Sequence, residues 1–221
     1  MPTNLELRST VAPSLPVATT DYEKQYHDQY SNILRLYFNQ LDNFTRAITA
    51  SNGGSLITFP HIAASDTTDQ YATGNNTPTL VAWNTGESVS GFSLSAGAAI
   101  ADYSGVYKIT YSLQFANTDN AIHDAYVWLK VNGTDVDRST TDFSIPARKS
   151  AGVPSYVCGY SEAVFTVNAG DSIELYWATS NAATSGGTAG VYIFADPAQT
   201  VPYARPAIPS AIGSIIFVSA S

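Results

Sequence analysis

Cysteine is nearly absent: the 221 residues hold one, Cys158. No intrachain disulfide can form, so the fold owes nothing to oxidation. Cys158 stands in the apolar run SYVCGYSEAVFTV and reads as a buried, inert thiol rather than a nucleophile or metal ligand. Charge is scarce too. Only 13% of residues are Asp, Glu, Lys or Arg, about half the usual share. Cations are the scarcer sign: 10 Lys and Arg face 18 Asp and Glu, for a formal charge of −8. That balance excludes nucleic acid and an anionic membrane as main partners, because phosphate binding needs a basic patch. No apolar run reaches the roughly 18 residues of a membrane span. The opening MPTNLELRSTVAPSLPVATT lacks the basic and apolar regions of a secretion signal.

Catalytic patterns are missing as well. There is no G-x-S-x-G, no phosphate-binding glycine loop and no H-E-x-x-H. His27, His61 and His123 have no partner at metal-ligand or triad spacing. The acidic stretches SDTTDQ, NTDNAIHDAY and NGTDVD lack the D-x-D-x-D-G calcium ladder and read as solvated turns, with calcium binding left open. No catalytic, cofactor or metal residue is assigned, and the chain reads as something other than an enzyme. A polysaccharide hydrolase would need paired carboxylates about 5–10 Å apart, and no pair stands out. Trp83, Trp128 and Trp177, with Tyr156, Tyr160, Tyr192 and Tyr203, offer material for a sugar platform. Trp128 and Trp177 lie inside strand runs, however, and read as core or intersubunit residues.

What is present falls into three parts. Residues 1–19 hold Pro2, Pro13 and Pro16 without period and read as an extended docking arm, with Leu5, Leu7, Val11, Leu15 and Val17 as its apolar contacts. Residues 20–50 read as one helix. Thr20 and Glu23 form a capping box at its start, and Asn52, Gly53 and Gly54 end it. Residues 51–221 alternate short β-branched and aromatic runs with Gly, Asn, Asp and Ser turns. Eight to ten short strands at that spacing predict a β-sandwich or jelly roll. GVYKITYSLQFAN alternates through Val106, Ile109, Tyr111, Leu113 and Phe115, with one shift near Tyr107. Asn132-Gly133 predicts a type I′ hairpin turn.

The helix carries an apolar stripe at Tyr22, Tyr26, Tyr30, Ile33, Tyr37, Leu41, Phe44 and Ile48. The pattern repeats after eleven residues, so the stripe runs nearly straight rather than as a heptad seam. Leu34, Leu36 and Phe38 fall off it, which leaves mid-helix apolar almost all round. Two packings compete: flat against the β domain as a monomer, or in a bundle of identical helices. The second covers more faces, so the stripe is taken as an oligomer interface.

Three stretches resemble the tumour-necrosis-factor and complement-globular-head family of jelly rolls. DYSGVYKITYSLQF resembles its G-x-Y strand through Gly105 and Tyr107, with Tyr111 further along. VWLKVNGTDV resembles its N-G hairpin. FTVNAGDSIELYW is similar to its L-x-x-G-D-x-V-x-L strand pair, matched by Val167, Gly170, Asp171, Ile173 and Leu175. The resemblance spans about residues 90–195. The family's closing aromatic-Gly-aliphatic strand is only loosely matched in AGVYIFAD, and an extra tail follows. The tail and the opening of the chain resemble structural proteins of marine tailed phages, cyanophages especially. The resemblance implies a homotrimer, with Tyr107 and Tyr111 as candidate axis or core residues. It further implies a virion protein, assembled in the host cytoplasm, bound to capsid or tail proteins through its arm and helix. A capsid decoration or cement protein is the leading expectation. A tail fibre or receptor-binding head touching a host surface glycan or protein is the alternative. A virion protein would also reconcile a hydroxyl-rich surface with the lack of a secretion signal.

Overall fold

Period-two burial builds most of this molecule. The computed structural model describes residues 13–17, 24–49 and 59–220, with the side chains of residues 47–49 excepted. The chain divides into two compact units, residues 1–58 and 59–221.

In the first unit, α1 spans Lys24–Thr49. Thr20, Tyr22 and Glu23 lie outside the described residues, as do Leu5, Leu7, Val11 and the side chain of Ile48. Along the stripe Tyr26, Tyr30, Ile33, Tyr37 and Phe44 are half-buried and Leu41 is exposed. Off the stripe Leu34 is half-buried, whereas Leu36 and Phe38 are 52% and 58% exposed. The Tyr26 and Tyr30 rings stack at 6.2 Å, one turn apart. Asp42 and Arg46 pair at 3.0 Å on the polar face. No helix among the described residues is long and apolar enough to cross a membrane.

The second unit is a β-sandwich of two antiparallel sheets. Its strands are β1 (His61–Asp66), β2 (Thr79–Leu80), β3 (Thr85–Ser90), β4 (Phe92–Ser95), β5 (Ala98–Ala101), β6 (Gly105–Asn117), β7 (His123–Val131), β8 (Thr134–Asp135), β9 (Thr141–Ile145), β10 (Ser155–Val167), β11 (Ser172–Thr179), β12 (Val191–Ile193) and β13 (Ala211–Ser219). The first sheet runs β10-β6-β13-β1-β3, with β12 also on β6. The second runs β4-β5-β11-β7-β8, with β2 on β11 and β9 on β7. From β5 onward the chain crosses between sheets at β6, β7, β10, β11 and β12. Its first and last strands pair side by side, from His61↔Ile216 to Asp66↔Ala211.

β6 is the spine. Gly105, Tyr107, Ile109, Tyr111, Leu113 and Phe115 all face inward and are buried, without the expected shift near Tyr107. Val106 takes the outward side instead. The inward residues meet Val127, Leu129, Ile173, Leu175 and Trp177 from the second sheet in one core. The Tyr107 ring sits edge-on to Phe92 and Phe217, at 5.3 and 5.5 Å. Its hydroxyl donates to the Tyr103 carbonyl at 2.8 Å. A Cβ at Gly105 would stand 2.5 Å from the Phe217 ring and 2.9 Å from the Ser219 carbonyl, which is why this strand opens on glycine.

Two turns at one end of the second sheet lock together. Asn132 and Gly133 both have positive φ, as the type I′ turn requires. The Asn132 amide donates to Asp171 at 2.7 Å, and Asp171 also accepts the Asn168 N–H at 2.8 Å. The bond from the Asn168 backbone, then that from Asn132, holds the Asp171 carboxyl below its ordinary value.

Candidate functional site

Three surfaces carry chemistry or contact potential. The first is the outward face of the β10-β6-β13 sheet. Antiparallel register places Tyr160, Ser112 and Ile212 in one row, and Val164, Lys108 and Ile216 in another. A solvent-facing sheet side is ordinarily polar. Here Tyr160 and Val164 are 60% and 62% exposed, Ile212 and Ile216 are each 46% exposed, and Tyr156 and Val218 are exposed beside them. The Lys108–Glu162 pair, 2.6 Å apart, is self-neutralising, so this row adds no net charge. Cys158 lies on the same face, its Sγ 3.2 Å from the Ser112 hydroxyl. It is exposed, which corrects the expectation of a buried thiol. β10 is apolar on both sides, so its periodicity does not say which side is in.

The outward face of the other sheet is unlike it. Trp128 and Tyr176 lie 6.2 Å apart there, with Lys130 4.7 Å over the Tyr176 ring. Asp135 accepts the Trp128 indole N–H at 2.7 Å and pairs with Lys130 at 3.3 Å. Those bonds, Trp128 first, hold its carboxyl low.

The third surface is a cleft of about 370 Å³ at the Asn117 end of β6. Its walls include Tyr71, Thr118, Arg148, Thr184, Thr188 and Tyr192, with Gly152, Gly186 and Gly187 at bare backbone. The Tyr71 and Tyr192 rings stack in parallel at 5.2 Å, 10° apart. Burial, and secondarily the Asp69 charge, pushes the Tyr192 hydroxyl up to about 12. Arg148 Nη1 donates to the Thr118 carbonyl at 3.3 Å, and its backbone N–H donates to the Asp119 carbonyl at 2.8 Å. Behind the cleft His123 Nε2 lies 2.7 Å from Asp119 Oδ2. The Asn181 amide reaches Asp119 and the Ala189 carbonyl, both at 3.3 Å. The hydrogen bond from His123 is the main reason the Asp119 carboxyl sits below its ordinary value. Ser180 Oγ is 3.5 Å from His123 Nδ1, longer than an activated nucleophile needs. This cluster ties three loops together, and among the described residues no three His, Cys, Asp or Glu converge as a metal site.

The sugar platform that these aromatics offered as an alternative does not assemble as one surface. Trp177 is in the core, Trp83 packs on Gly213, Trp128 is on the second sheet, and only Tyr192 reaches the cleft. Tyr107 and Tyr111, expected as axis or core residues, are core: they are 0% and 2% exposed and offer no surface to a second chain. Of the arm, Leu15 and Val17 are described, and both are exposed. Sequence reasoning missed Arg148, Tyr71 and the Thr184–Thr188 loop. No local pattern marks them, because the cleft is assembled from four distant segments. The aspartate four residues before His123 was the one visible hint of the cluster behind it. No protein-family model matches the chain, nor does any curated protein sequence.

Proposed function

We propose that this chain is a homotrimeric virion structural protein, a β-sandwich head with a helical stem and a docking arm, acting foremost as a capsid decoration protein. The observation that carries the assembly half of this reading is the exposed apolar patch of Tyr160, Val164, Ile212 and Ile216, from two rows of one sheet face. Identical chains of charge −8 repel one another, so a seam between copies must be locally neutral. This face meets that need through its Lys108–Glu162 pair. The helix adds further exposed apolar side chains, Leu36, Phe38 and Leu41. The strand order, with β13 between β6 and β1 and repeated crossing between sheets, supports a jelly-roll reading of the sandwich. The closing strand of that reading is β13 rather than the AGVYIFAD stretch, so the supposed extra tail supplies part of the sheet.

A receptor-binding head on the tail is the second reading, and one observation favours it. The chain enters the sandwich at Pro60, which accepts the Phe217 N–H at 2.9 Å, close to the Val106 end of β6. The cleft lies at the Asn117 end, on the order of 35 Å away along the strand. It is therefore distal to both chain ends of the sandwich. Cryo-EM of the particle that carries this protein separates the readings. Density on capsomers supports decoration, density at the tail tip supports the receptor-binding head, and particles without the chain would refute both.

A further inference from the structure

We propose that the cleft between Arg148, Tyr192 and the Thr184–Thr188 loop binds an acidic saccharide, a sugar unit bearing a carboxylate or sulfate. The inference stands whether the chain is monomeric or assembled. Its first support is charge. In a chain of net charge −8, the described lining of this cleft includes one guanidinium and no carboxylate, the nearby Asp69 carboxylate standing beside the tyrosine pair and accepting the Tyr71 hydroxyl at 3.4 Å. Among the described residues no Asp or Glu pairs with Arg148. Asp119, the acid next to it in the fold, is hydrogen-bonded by His123 and Asn181, and the Arg148 charge is only the smallest of the causes that lower it. Arg148 is also anchored, by its own N–H and one Nη1 bond, so the remaining guanidinium donors are pre-positioned for a planar anion.

The second support is the rest of the wall. The stacked Tyr71 and Tyr192 both line the cleft and contribute aromatic carbon and phenolic oxygen to its wall. The Tyr192 hydroxyl has no hydrogen-bond partner among the described residues and is half-buried at the cleft. It remains a protonated donor across the physiological range. The Thr184 hydroxyl accepts the Thr188 N–H at 2.7 Å, curling the loop, and a Cβ at Gly187 would meet that hydroxyl at 2.5 Å. The Gly187 N–H is taken by the Thr184 carbonyl at 3.1 Å, so it is bare backbone at Gly186 that is left within reach of ligand hydroxyls. An apolar floor with a few convergent polar groups and one cation is the usual make-up of a specific small-ligand site. A ring with hydroxyls and one negative substituent satisfies each of these groups, whereas a nucleotide's several phosphates would meet one cation only.

The test uses the full chain and three probes: an oligoglucuronate, a sulfated oligogalactose and a neutral oligoglucose, each titrated by calorimetry and ligand-observed NMR. The expected result is saturable binding of at least one acidic probe and none of the neutral one. Which acidic probe binds decides between carboxylate and sulfate. Arg148→Gln should weaken that binding at least tenfold. Gly186→Asp is the second variant; it sets a carboxylate at the cleft lip, where a side chain meets nothing within 4 Å and φ is +67°, a region aspartate tolerates. It should abolish binding while lowering the melting midpoint only slightly, through the strain of a left-handed aspartate. Equal binding of neutral and acidic probes, no binding of any probe at millimolar concentration, or acidic binding that both variants leave intact would overturn the proposal.

Discussion

Tyr107 and Tyr111 stand four residues apart on the same inward face, yet their hydroxyls have opposite fortunes. Tyr107 donates to the Tyr103 carbonyl, while the Tyr111 hydroxyl is buried without a hydrogen-bond partner of good geometry. A buried hydroxyl without a partner costs stability, and removing it relieves that cost. Tyr107→Phe is therefore expected to cost about 1 kcal/mol. Tyr111→Phe should be neutral or stabilising in the same urea titration. A loss at Tyr111 equal to that at Tyr107 would contradict this. Gly105→Ala should cost about 2 kcal/mol, because Phe217 and the Ser219 carbonyl must both shift. Acid stability follows from Asp119, Asp135 and Asp171, all held below the ordinary aspartate value of 3.8. A depressed folded-state pKa contributes stability above the unfolded value and loses it as pH falls through the folded one. Thermal midpoints should be flat from pH 7 to about 5 and drop below about pH 4. Asp171→Asn should shrink that drop, since it removes the carboxylate that bridges two turns.

At the scale of elements, the long strands were legible and the short ones were not. GVYKITYSLQFAN became β6 with both ends as read, and Asn132-Gly133 became the expected turn. β5, built of alanines and one isoleucine, and β9, TDFSI, carry too little apolar contrast to be seen. β10 misled for a more useful reason. Phe165 and Val167 face the core while Tyr160 and Val164 face outward, so both sides look buried from sequence. A strand written as if buried on both sides, with one side open in the single chain, is what a covered sheet face looks like before its cover arrives. Two consequences can be measured. Ile216→Glu should dissociate the assembly while changing the stability of the sandwich by no more than about 1 kcal/mol, because the residue is already 46% exposed. Cys158, on the same face, should react with a maleimide slowly in the wild-type assembly and severalfold faster in Ile216→Glu. Fast labelling in both would place the seam elsewhere.

For the whole molecule, both chain ends of the sandwich lie at one end and the cleft at the other. Under the proposed virion role, that polarity would let the head present its far end outward. The cleft itself was invisible in sequence, since Tyr71, Arg148, Thr184 and Tyr192 meet only after the loops fold together. On the helix, the described stripe residues Tyr26, Tyr30, Ile33, Tyr37 and Phe44 are half-buried and Leu41 is exposed. The proposed self-association rests on exposed apolar sets on two separate units of one acidic chain. Mass photometry on the full chain at nanomolar to micromolar concentration tests it most directly. Three chains of 23.5 kDa make about 70 kDa (3 × 23.5), and the account predicts a stable species at that mass. A single species at 23.5 kDa across the whole range would contradict it.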